Sequence, residues 1–174
     1  GRVARWALVL FILPLLSYGQ GLSSEAGPSS AAQGDVEWRV EEQPTVVRPG
    51  ERLMVRFQGQ VTDGWHTYAL NSPAGKPLEI TFDSLPPGLT VERPLRQSEP
   101  TAQYDPNFKS QARYLNGQFE VRAALTVGAE ASLGPDTLRA SVRYMVCNDQ
   151  LCMPPQTASL PVPITIAEGD VRDA

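Results

Sequence analysis

Apolar and polar residues alternate along most of the chain from residue 36 onward. The clearest run places Leu138, Ala140, Val142, Tyr144 and Val146 at every second position. Because successive side chains of a strand point to opposite faces, this period predicts strands with one buried side. The candidate strands are 36–40, 53–57, 65–70, 78–82, 89–92, 119–127, 138–146 and 160–166.

Turn-forming residues separate these runs. Gly, Pro, Asn and Asp cluster between them, as in Asp63-Gly64, and such residues favour tight reversals of the chain. Many short strands joined by turns, with no convincing helical period, predict an all-β fold. We expect an immunoglobulin-like antiparallel β-sandwich. The run 160–166 suits an edge strand, because Pro161 and Pro163 lack amide donors.

One long segment, residues 93–115, breaks the alternation. It carries several prolines and no clean period, so we expect a long loop. A loop of this length inside a compact domain is usually functional or disordered. Its aromatic residues Tyr104, Phe108 and Tyr114 favour packing against another part of the protein over free exposure.

The two ends of the chain differ from the middle. Arg2 and Arg5 precede an apolar run over residues 6–16, and Ser17 and Gly19 follow it, which is the pattern of a secretory signal peptide. A transmembrane helix needs about 20 apolar residues, so the run is too short to be one. The predicted organisation is a signal peptide at 1–19, a disordered leader at 20–35, a folded domain at 36–167 and an acidic tail or linker at 168–174.

Charge and composition narrow the classes of function. The sequence holds 15 basic and 19 acidic residues, for a net charge of −4, with no basic stripe interleaved with aromatic residues. Nucleic acid is therefore not an expected partner. The only histidine is His66, which limits metal and general-base schemes. We expect a structural role for His66 and no metal cofactor.

Two cysteines carry the candidate chemistry. Cys147 and Cys152 are separated by four residues that begin with a turn-favouring Asn-Asp pair. A four-residue turn would place the cysteines opposite one another in a hairpin, where Cα atoms lie about 4.5–5.5 Å apart. That separation suits a disulfide, and export would allow one to form. Pro154-Pro155 then ends the pairing and keeps this end accessible.

The spacing alone leaves three roles open for this pair. A disulfide that closes so short a loop stabilises a fold by only about 2 kcal/mol. This favours a redox role, because exposed disulfides at tight turns are readily reduced. The second role is a permanent disulfide in a secreted β-sandwich binding module. The third is Cu(I) handling, because Met145 and Met153 flank the cysteines and Cu(I) prefers sulfur ligands.

The cysteine segment resembles a motif of a known family. It reads VCNDQLCMPP over residues 146–155 and is similar to the cysteine motif of the amino-terminal domain of DsbD-type thiol:disulfide interchange proteins, also called the disulfide bond corrector domain. Some members have one more residue between the cysteines. The segments GWHTY at 64–68 and YDPNF at 104–108 resemble two further signatures in the same order. The resemblance covers roughly residues 36–166.

The resemblance implies an immunoglobulin-like fold and a place in an electron relay. In this family a thioredoxin-like domain, reduced through a membrane domain, reduces the amino-terminal domain. That domain then reduces periplasmic disulfide isomerases and thioredoxin-like proteins of cytochrome c maturation. The implied activity is that of a protein-disulfide reductase without a cofactor. The implied location is the periplasm, with a tether to the inner membrane if the chain is a fragment of a longer protein.

The resemblance also assigns roles to residues. Cys152 matches the cysteine that forms mixed disulfides with partners, and Cys147 matches the one that resolves them. The loop that contains Tyr104, Asp105 and Phe108 matches a cap that shields the cysteines, with Phe108 as its aromatic lid.

Three polar residues are candidates for tuning the thiols, namely Tyr144, Asp149 and Asp105. We expect an effect only if they lie near the sulfurs. A carboxylate there raises a thiol pKa rather than lowering it, because like charges disfavour ionisation.

Overall fold

The structure, a computed structural model, describes residues 35–172. In that part of the chain all regular secondary structure is β-strand, with thirteen strands arranged in three sheets. No helix there is long and apolar enough to cross a membrane. The predicted signal peptide at 1–19 and nearly all of the predicted leader lie outside the described residues.

The first sheet is formed by strands that alternate buried and exposed side chains. Its strands, in spatial order, are β1 (Val36–Gln43), β3 (Arg52–Val61), β10 (Gln118–Val127) and β6 (Leu89–Val91), with β7 (Arg96–Gln97) also paired with β10. In the antiparallel register, Phe57 lies opposite Val121 and Leu53 lies opposite Leu125. All four side chains are buried on one face, as the two-residue period predicts.

The second sheet is built around two eleven-residue strands that pair along their whole length. Its strands, in spatial order, are β2 (Val46–Val47), β13 (Gln156–Ile166), β11 (Gly134–Tyr144) and β5 (Glu79–Ser84). β2 pairs only with Thr165 and Ile166. Pro161 and Pro163 lie beyond it, at a position where no described strand is bonded to that side of β13. The two prolines therefore occupy an edge position, where an amide donor is not needed.

The two sheets pack face to face and confirm the predicted sandwich. Their inner side chains form one apolar cluster that includes Val55 and Phe57 of the first sheet and Val142 and Ile164 of the second. The rings of Phe57 and Phe82 meet edge to face, with centroids 6.2 Å apart. Because burying one side chain of this size stabilises a fold by about 1.5–3 kcal/mol, this core is the main source of stability.

A third, smaller sheet carries the cysteine end of the molecule. Its strands, in spatial order, are β12 (Val146–Cys147), β4 (His66–Tyr68), β9 (Ser110–Leu115) and β8 (Thr101–Asp105). The segment 93–115, expected to be a long loop, therefore contains the β8–β9 hairpin and the short β7. The sequence shows no alternation over β8 because it is an edge strand whose first four residues are all exposed.

Residues 168–172 follow β13 and are held against the turn before β3. The Nε atom of Arg172 donates to Glu51 Oε1 at 2.8 Å, and its Nη2 atom donates to Val46 O at 2.7 Å. Hydrogen bonds from Arg172 lower the pKa of Glu51 to about 2. This part of the predicted tail is thus anchored to the domain.

Candidate functional site

Cys147 and Cys152 face each other as an isolated antiparallel pair at the end of a short hairpin. Their Cα atoms are 4.0 Å apart and their sulfurs are bonded. Directly before the pair, Met153 N donates to Val146 O at 2.8 Å. The four-residue spacing therefore does form a hairpin, and the hairpin makes the cysteines cross-strand neighbours.

Asn148 sets the shape of the turn between the cysteines. Its backbone amide donates a hydrogen bond to Leu151 O at 2.9 Å. Its side-chain oxygen accepts hydrogen bonds from Gln150 N at 2.9 Å and from Leu151 N at 2.8 Å. An asparagine whose side-chain oxygen accepts hydrogen bonds from backbone amides two and three residues later favours a tight reversal of the chain. The turn therefore has an internal support that does not depend on the disulfide.

The two cysteines differ in their access to solvent. Cys147 is fully buried, whereas Cys152 is partly exposed. Leu151, the residue before Cys152, has 54% of its surface exposed. A partner that approaches from solvent therefore meets Cys152 first.

One face of the third sheet lies beneath the disulfide. In the register of β12, β4 and β9, Cys147 lies opposite His66, and Tyr68 lies opposite Tyr114. Opposed residues share a face, and so do residues two apart along a strand. All four side chains therefore lie on one face. Cys147, Tyr68 and Tyr114 pack there with Met145 in a small apolar cluster separate from the main core.

Asp105 is a fully buried carboxylate at the end of β8. Its Oδ2 atom accepts a hydrogen bond from the Tyr68 hydroxyl at 2.7 Å, and its Oδ1 atom accepts from the amides of Asn107 at 2.8 Å and Phe108 at 3.2 Å. Burial raises the pKa of this carboxyl, but the hydrogen bonds, led by that from Tyr68, leave it below its ordinary value. Asp105 is thus ionised at neutral pH and joins Tyr68 to the β8–β9 turn.

Of the residues predicted to form a cap, Phe108 is in the four-residue turn between β8 and β9, whereas Tyr104 and Asp105 are the last two residues of β8. The turn ends with Lys109 at φ +52°, a left-handed conformation that commonly closes hairpin loops. The Phe108 ring packs edge-on against Tyr68, with centroids 5.8 Å apart, and remains 44% exposed. Asn107 Nδ2 donates to Asn148 O at 2.7 Å. The β8–β9 turn is therefore bonded directly to the cysteine turn.

His66 lies closer to the cysteines than its sequence context indicated. Its ring stacks on Tyr114 with centroids 3.6 Å apart, and its Nε2 atom is 3.4 Å from the Tyr68 hydroxyl oxygen. Only 5% of the residue is exposed. Burial lowers the pKa of His66, and the charges of Asp105 and Asp149 oppose this in part. The imidazole is therefore neutral at pH 7.

Tyr144, a candidate for tuning the pKa of the thiols, lies in the main core and not in the cluster that contains the cysteines. Met145 and Cys147 pack in the small cluster, whereas Tyr144 points the other way into the main core. Its hydroxyl donates to Asp35 Oδ1 at 2.9 Å. Burial, together with this hydrogen bond to Asp35, raises the pKa of Tyr144 to about 12.

The remaining predicted residues lie around the edge of the site. Tyr104 is 55% exposed on β8, and Asp149 is exposed in the cysteine turn. Met145 packs beside Cys147, whereas Met153 packs against the main core. Within residues 35–172, no three His, Cys, Asp or Glu side chains converge so that they could hold a metal ion.

Sequence reasoning gave no role to Asn107 or Tyr68, which join the β8–β9 turn to the cysteine turn and to the sheet below it. It predicted only that Asn148 favours a turn and that Tyr114 packs against another part of the protein. β4 is only three residues long, so its pattern is too short to show which of its faces carries chemistry. The sequence signal that points to Tyr68 is its place in the GWHTY segment at 64–68, one of the segments that resemble the family.

Comparison with known proteins places the chain in a family. Residues 35–163 match the family described as Thiol:disulfide interchange protein DsbD, N-terminal. The chain belongs to this family. The match spans nearly all of the described residues and confirms the resemblance noted in the sequence.

Two solved structures are similar to the chain at low sequence identity. The N-terminal periplasmic domain of ScsB from Proteus mirabilis is 16% identical with a TM-score of 0.51, over 73% of this chain and 45% of that one. The Neisseria meningitidis DsbD N-terminal domain in the reduced form is 19% identical with a TM-score of 0.44, over 79% of this chain and 90% of that one. This DsbD-family chain therefore spans less than half of the ScsB structure. A comparison with curated protein sequences found no match.

Proposed function

We propose that this domain carries out thiol–disulfide exchange through Cys147 and Cys152. The observation that carries the proposal is the difference in access, since Cys152 is partly exposed and Cys147 is fully buried. A disulfide with one reachable cysteine suits a reaction in which a partner bonds to Cys152 while Cys147 stays beside it. Membership of a thiol:disulfide interchange family supports the same chemistry.

Reduction of the domain takes two steps. A partner thiolate attacks the sulfur of Cys152, the Cys147–Cys152 bond breaks, and Cys147 leaves as a thiolate that takes up a proton. The second thiol of the partner then attacks the mixed disulfide and releases Cys152. Two electrons have now passed from the partner's dithiol to the domain, and the reverse sequence passes them to an oxidised acceptor.

The proposed donor is a thioredoxin-like domain linked to a membrane domain of DsbD type, in the same chain or a separate one. The proposed acceptors are periplasmic disulfide isomerases and thioredoxin-like proteins of cytochrome c maturation. The domain would then be a periplasmic protein-disulfide reductase that needs no cofactor, exported through the signal peptide predicted at 1–19. Its fold and family support this assignment.

The β8–β9 turn acts in this proposal as a cap. Phe108 packs on Tyr68, and Asn107 is bonded to Asn148 in the cysteine turn. A closed cap limits stray reaction of the thiols, and docking of a partner displaces it.

Single-cysteine variants test the proposal. The probe is a thioredoxin-fold protein whose one remaining active-site cysteine is activated as an aromatic mixed disulfide, so that attack releases a coloured thiol. Cys147→Ala retains the reachable cysteine, and we expect it to form a covalent complex that a reductant dissolves. Cys152→Ala is the matched control, because it retains only the buried cysteine, and we expect far less complex. Equal yields from the two variants, or no complex with Cys147→Ala, would contradict the proposal.

A further inference from the structure

The buried cysteine has a proton to exchange but no contact with water. Cys147 must lose its proton when it forms the disulfide and regain one when the disulfide is reduced, yet it is fully buried. An ordinary thiol has a pKa of about 8.5, so only a few per cent of it is thiolate at pH 7. Rapid exchange therefore requires a proton acceptor close to this sulfur.

His66 has the position that such an acceptor requires. It lies directly opposite Cys147 in the pairing of β4 with β12. Cβ atoms of directly opposed residues are about 4.5–5.5 Å apart, and their side chains point to the same face. His66, a neutral imidazole and hence able to act as a base, is therefore the cross-strand neighbour of the buried cysteine on the same face of the sheet.

Hydrogen bonding around His66 leaves one ring nitrogen available. The Tyr68 hydroxyl donates its proton to Asp105 at 2.7 Å, so its oxygen faces His66 Nε2 as an acceptor, 3.4 Å away. Nε2 therefore carries the proton of the neutral ring. In the part of the chain that the structure describes, no hydrogen bond involves Nδ1, which leaves its lone pair free.

His66 also has a route to solvent. It lines a shallow cleft of about 270 Å³ together with Asp63, Gln103, Tyr114 and Asn116. A proton taken from the buried sulfur can leave through this cleft, and one can return by the same path. His66 thus both pairs with Cys147 across the strands and lines a cleft that opens to solvent.

The groups around the imidazole can compensate a transient positive charge. Asp105 lies beyond Tyr68, and Asp149 lies in the cysteine turn; the charges of both act on the ring. Asp63 lines the same cleft. Tyr68 and Tyr114, the tyrosines in contact with the ring, stay neutral because burial raises the pKa of each. The surroundings therefore keep the ring neutral at rest and offset the imidazolium charge when it forms.

We propose that His66 accepts the proton of Cys147 during resolution of the mixed disulfide and returns it during reduction, an inference that rests on the proposed exchange function. In the resolving step the Cys147 proton passes to His66 Nδ1, and the thiolate attacks the sulfur of Cys152. The Cys147–Cys152 bond forms as the bond between Cys152 and the partner breaks. The partner leaves as a thiolate and takes up a proton, so the domain's two thiols are oxidised and the partner's disulfide is reduced.

Rapid-quench oxidation of the reduced chain by glutathione disulfide tests this inference. Acid quenching, alkylation and mass spectrometry separate the glutathionylated intermediate from the closed disulfide. In His66→Gln we expect the intermediate to accumulate at pH 7 and to resolve about ten- to thirtyfold more slowly, a range set by the thiolate fraction of an ordinary thiol. As the pH rises towards 10, a larger fraction of the thiol ionises without help, so the ratio of the wild-type rate to the variant rate should fall.

Thr67→Val is the matched control. Thr67 lies on the same strand but on its other face, and its hydroxyl donates to Met145 O at 3.0 Å. The variant removes this contact between β4 and the residue before β12 without altering the imidazole. The rate at which it resolves the mixed disulfide should therefore follow the wild-type pH profile. Circular dichroism checks that both variants are folded.

The outcomes separate the two proposals. If His66→Gln resolves at the wild-type rate at pH 7, or is slowed equally at pH 7 and pH 10, the role of His66 is overturned and the exchange function stands. If the wild-type chain forms neither glutathionylated Cys152 nor the closed disulfide, the exchange function fails and the role of His66 fails with it.

Discussion

A single buried carboxylate, that of Asp105, connects the β8–β9 turn to the sheet that supports the disulfide. Among the described residues no basic side chain lies within ion-pair distance of Asp105. The Tyr68 hydroxyl and two backbone amides satisfy its charge instead. Because a buried charge without partners is costly, each of these hydrogen bonds contributes to the stability of the site.

Tyr68→Phe removes one of these hydrogen bonds and keeps the ring. We expect the free energy of unfolding at pH 7, measured by urea denaturation, to fall by about 1.5–3 kcal/mol, the value of a hydrogen bond to a charged group. The pKa of Asp105 lies below its ordinary value in the folded protein. The stabilisation that ionised Asp105 gives the folded protein is therefore present above the pKa that Asp105 has in the unfolded chain. It is lost as the pH falls through the pKa that Asp105 has in the folded protein. The difference between variant and wild type should thus shrink in acid.

The control for this prediction is Tyr104→Phe, because Tyr104 is an exposed tyrosine on the adjacent hairpin. It should leave the stability unchanged. A Tyr68→Phe cost that does not depend on pH would contradict the assignment of this hydrogen bond to the ionised carboxylate.

At the scale of elements, the site consists of two turns that meet above one small sheet. The β8–β9 turn is shaped by Asp105 and the cysteine turn by Asn148, each through hydrogen bonds from amides ahead of it. One hydrogen bond, from Asn107 to Asn148, joins the two turns. Loss of that bond should favour an open cap without unfolding either hairpin.

Asn107→Ala is therefore expected to expose the disulfide more often. We expect reduction by dithiothreitol at pH 7, followed by alkylation, to be about two- to tenfold faster, because one hydrogen bond contributes about 0.5–1.5 kcal/mol. Gln111→Ala on the exposed side of β9 is the control and should reduce at the wild-type rate. An unchanged rate for Asn107→Ala would show that this bond does not hold the cap closed.

How well the sequence predicts these elements depends on how many residues each has. The eleven-residue β11 and β13 show several cycles of alternation, so the sandwich could be predicted. β4 falls within the predicted strand 65–70 but has only three residues, too few to show which face carries the site. β8 lies exposed at an edge and shows no usable period. The hairpin around the cysteines followed from turn-forming residues. The contacts of Asn107 with Asn148 and of His66 with Tyr114 depend on tertiary packing, which no local pattern encodes.

At the scale of the whole molecule, the site and the carboxyl-terminal segment lie at opposite ends. β13 begins four residues after Cys152 and runs for eleven residues. At about 3.3 Å per residue it carries the chain roughly 35 Å away from the disulfide. Any domain that follows residue 172 would therefore be joined at the end remote from the cysteines, which leaves the site free to meet partners.

Glu51→Gln tests the anchor at that remote end. Hydrogen bonds from Arg172 lower the pKa of Glu51 to about 2, so the attachment should persist above pH 4.5 and be lost as the pH falls towards 2. In the variant we expect the Arg172 amide, which donates to Glu51 Oε1 at 2.9 Å, to exchange with solvent faster at pH 7. Glu41→Gln on the exposed side of β1 should leave that exchange unchanged. If the Arg172 amide exchanges with solvent no faster in Glu51→Gln than in the wild type, contacts other than those with Glu51 hold residues 168–172 in place.

The reduction potential of the Cys147–Cys152 disulfide tests the central claim most directly. The chain would be equilibrated in dithiothreitol or glutathione redox buffers, and its free thiols would be alkylated and counted. An exchange domain should have a potential of about −200 to −250 mV, in the range of known exchange proteins. A potential well below about −300 mV would contradict the account. The disulfide would then be a permanent structural bond, as expected for a secreted binding module.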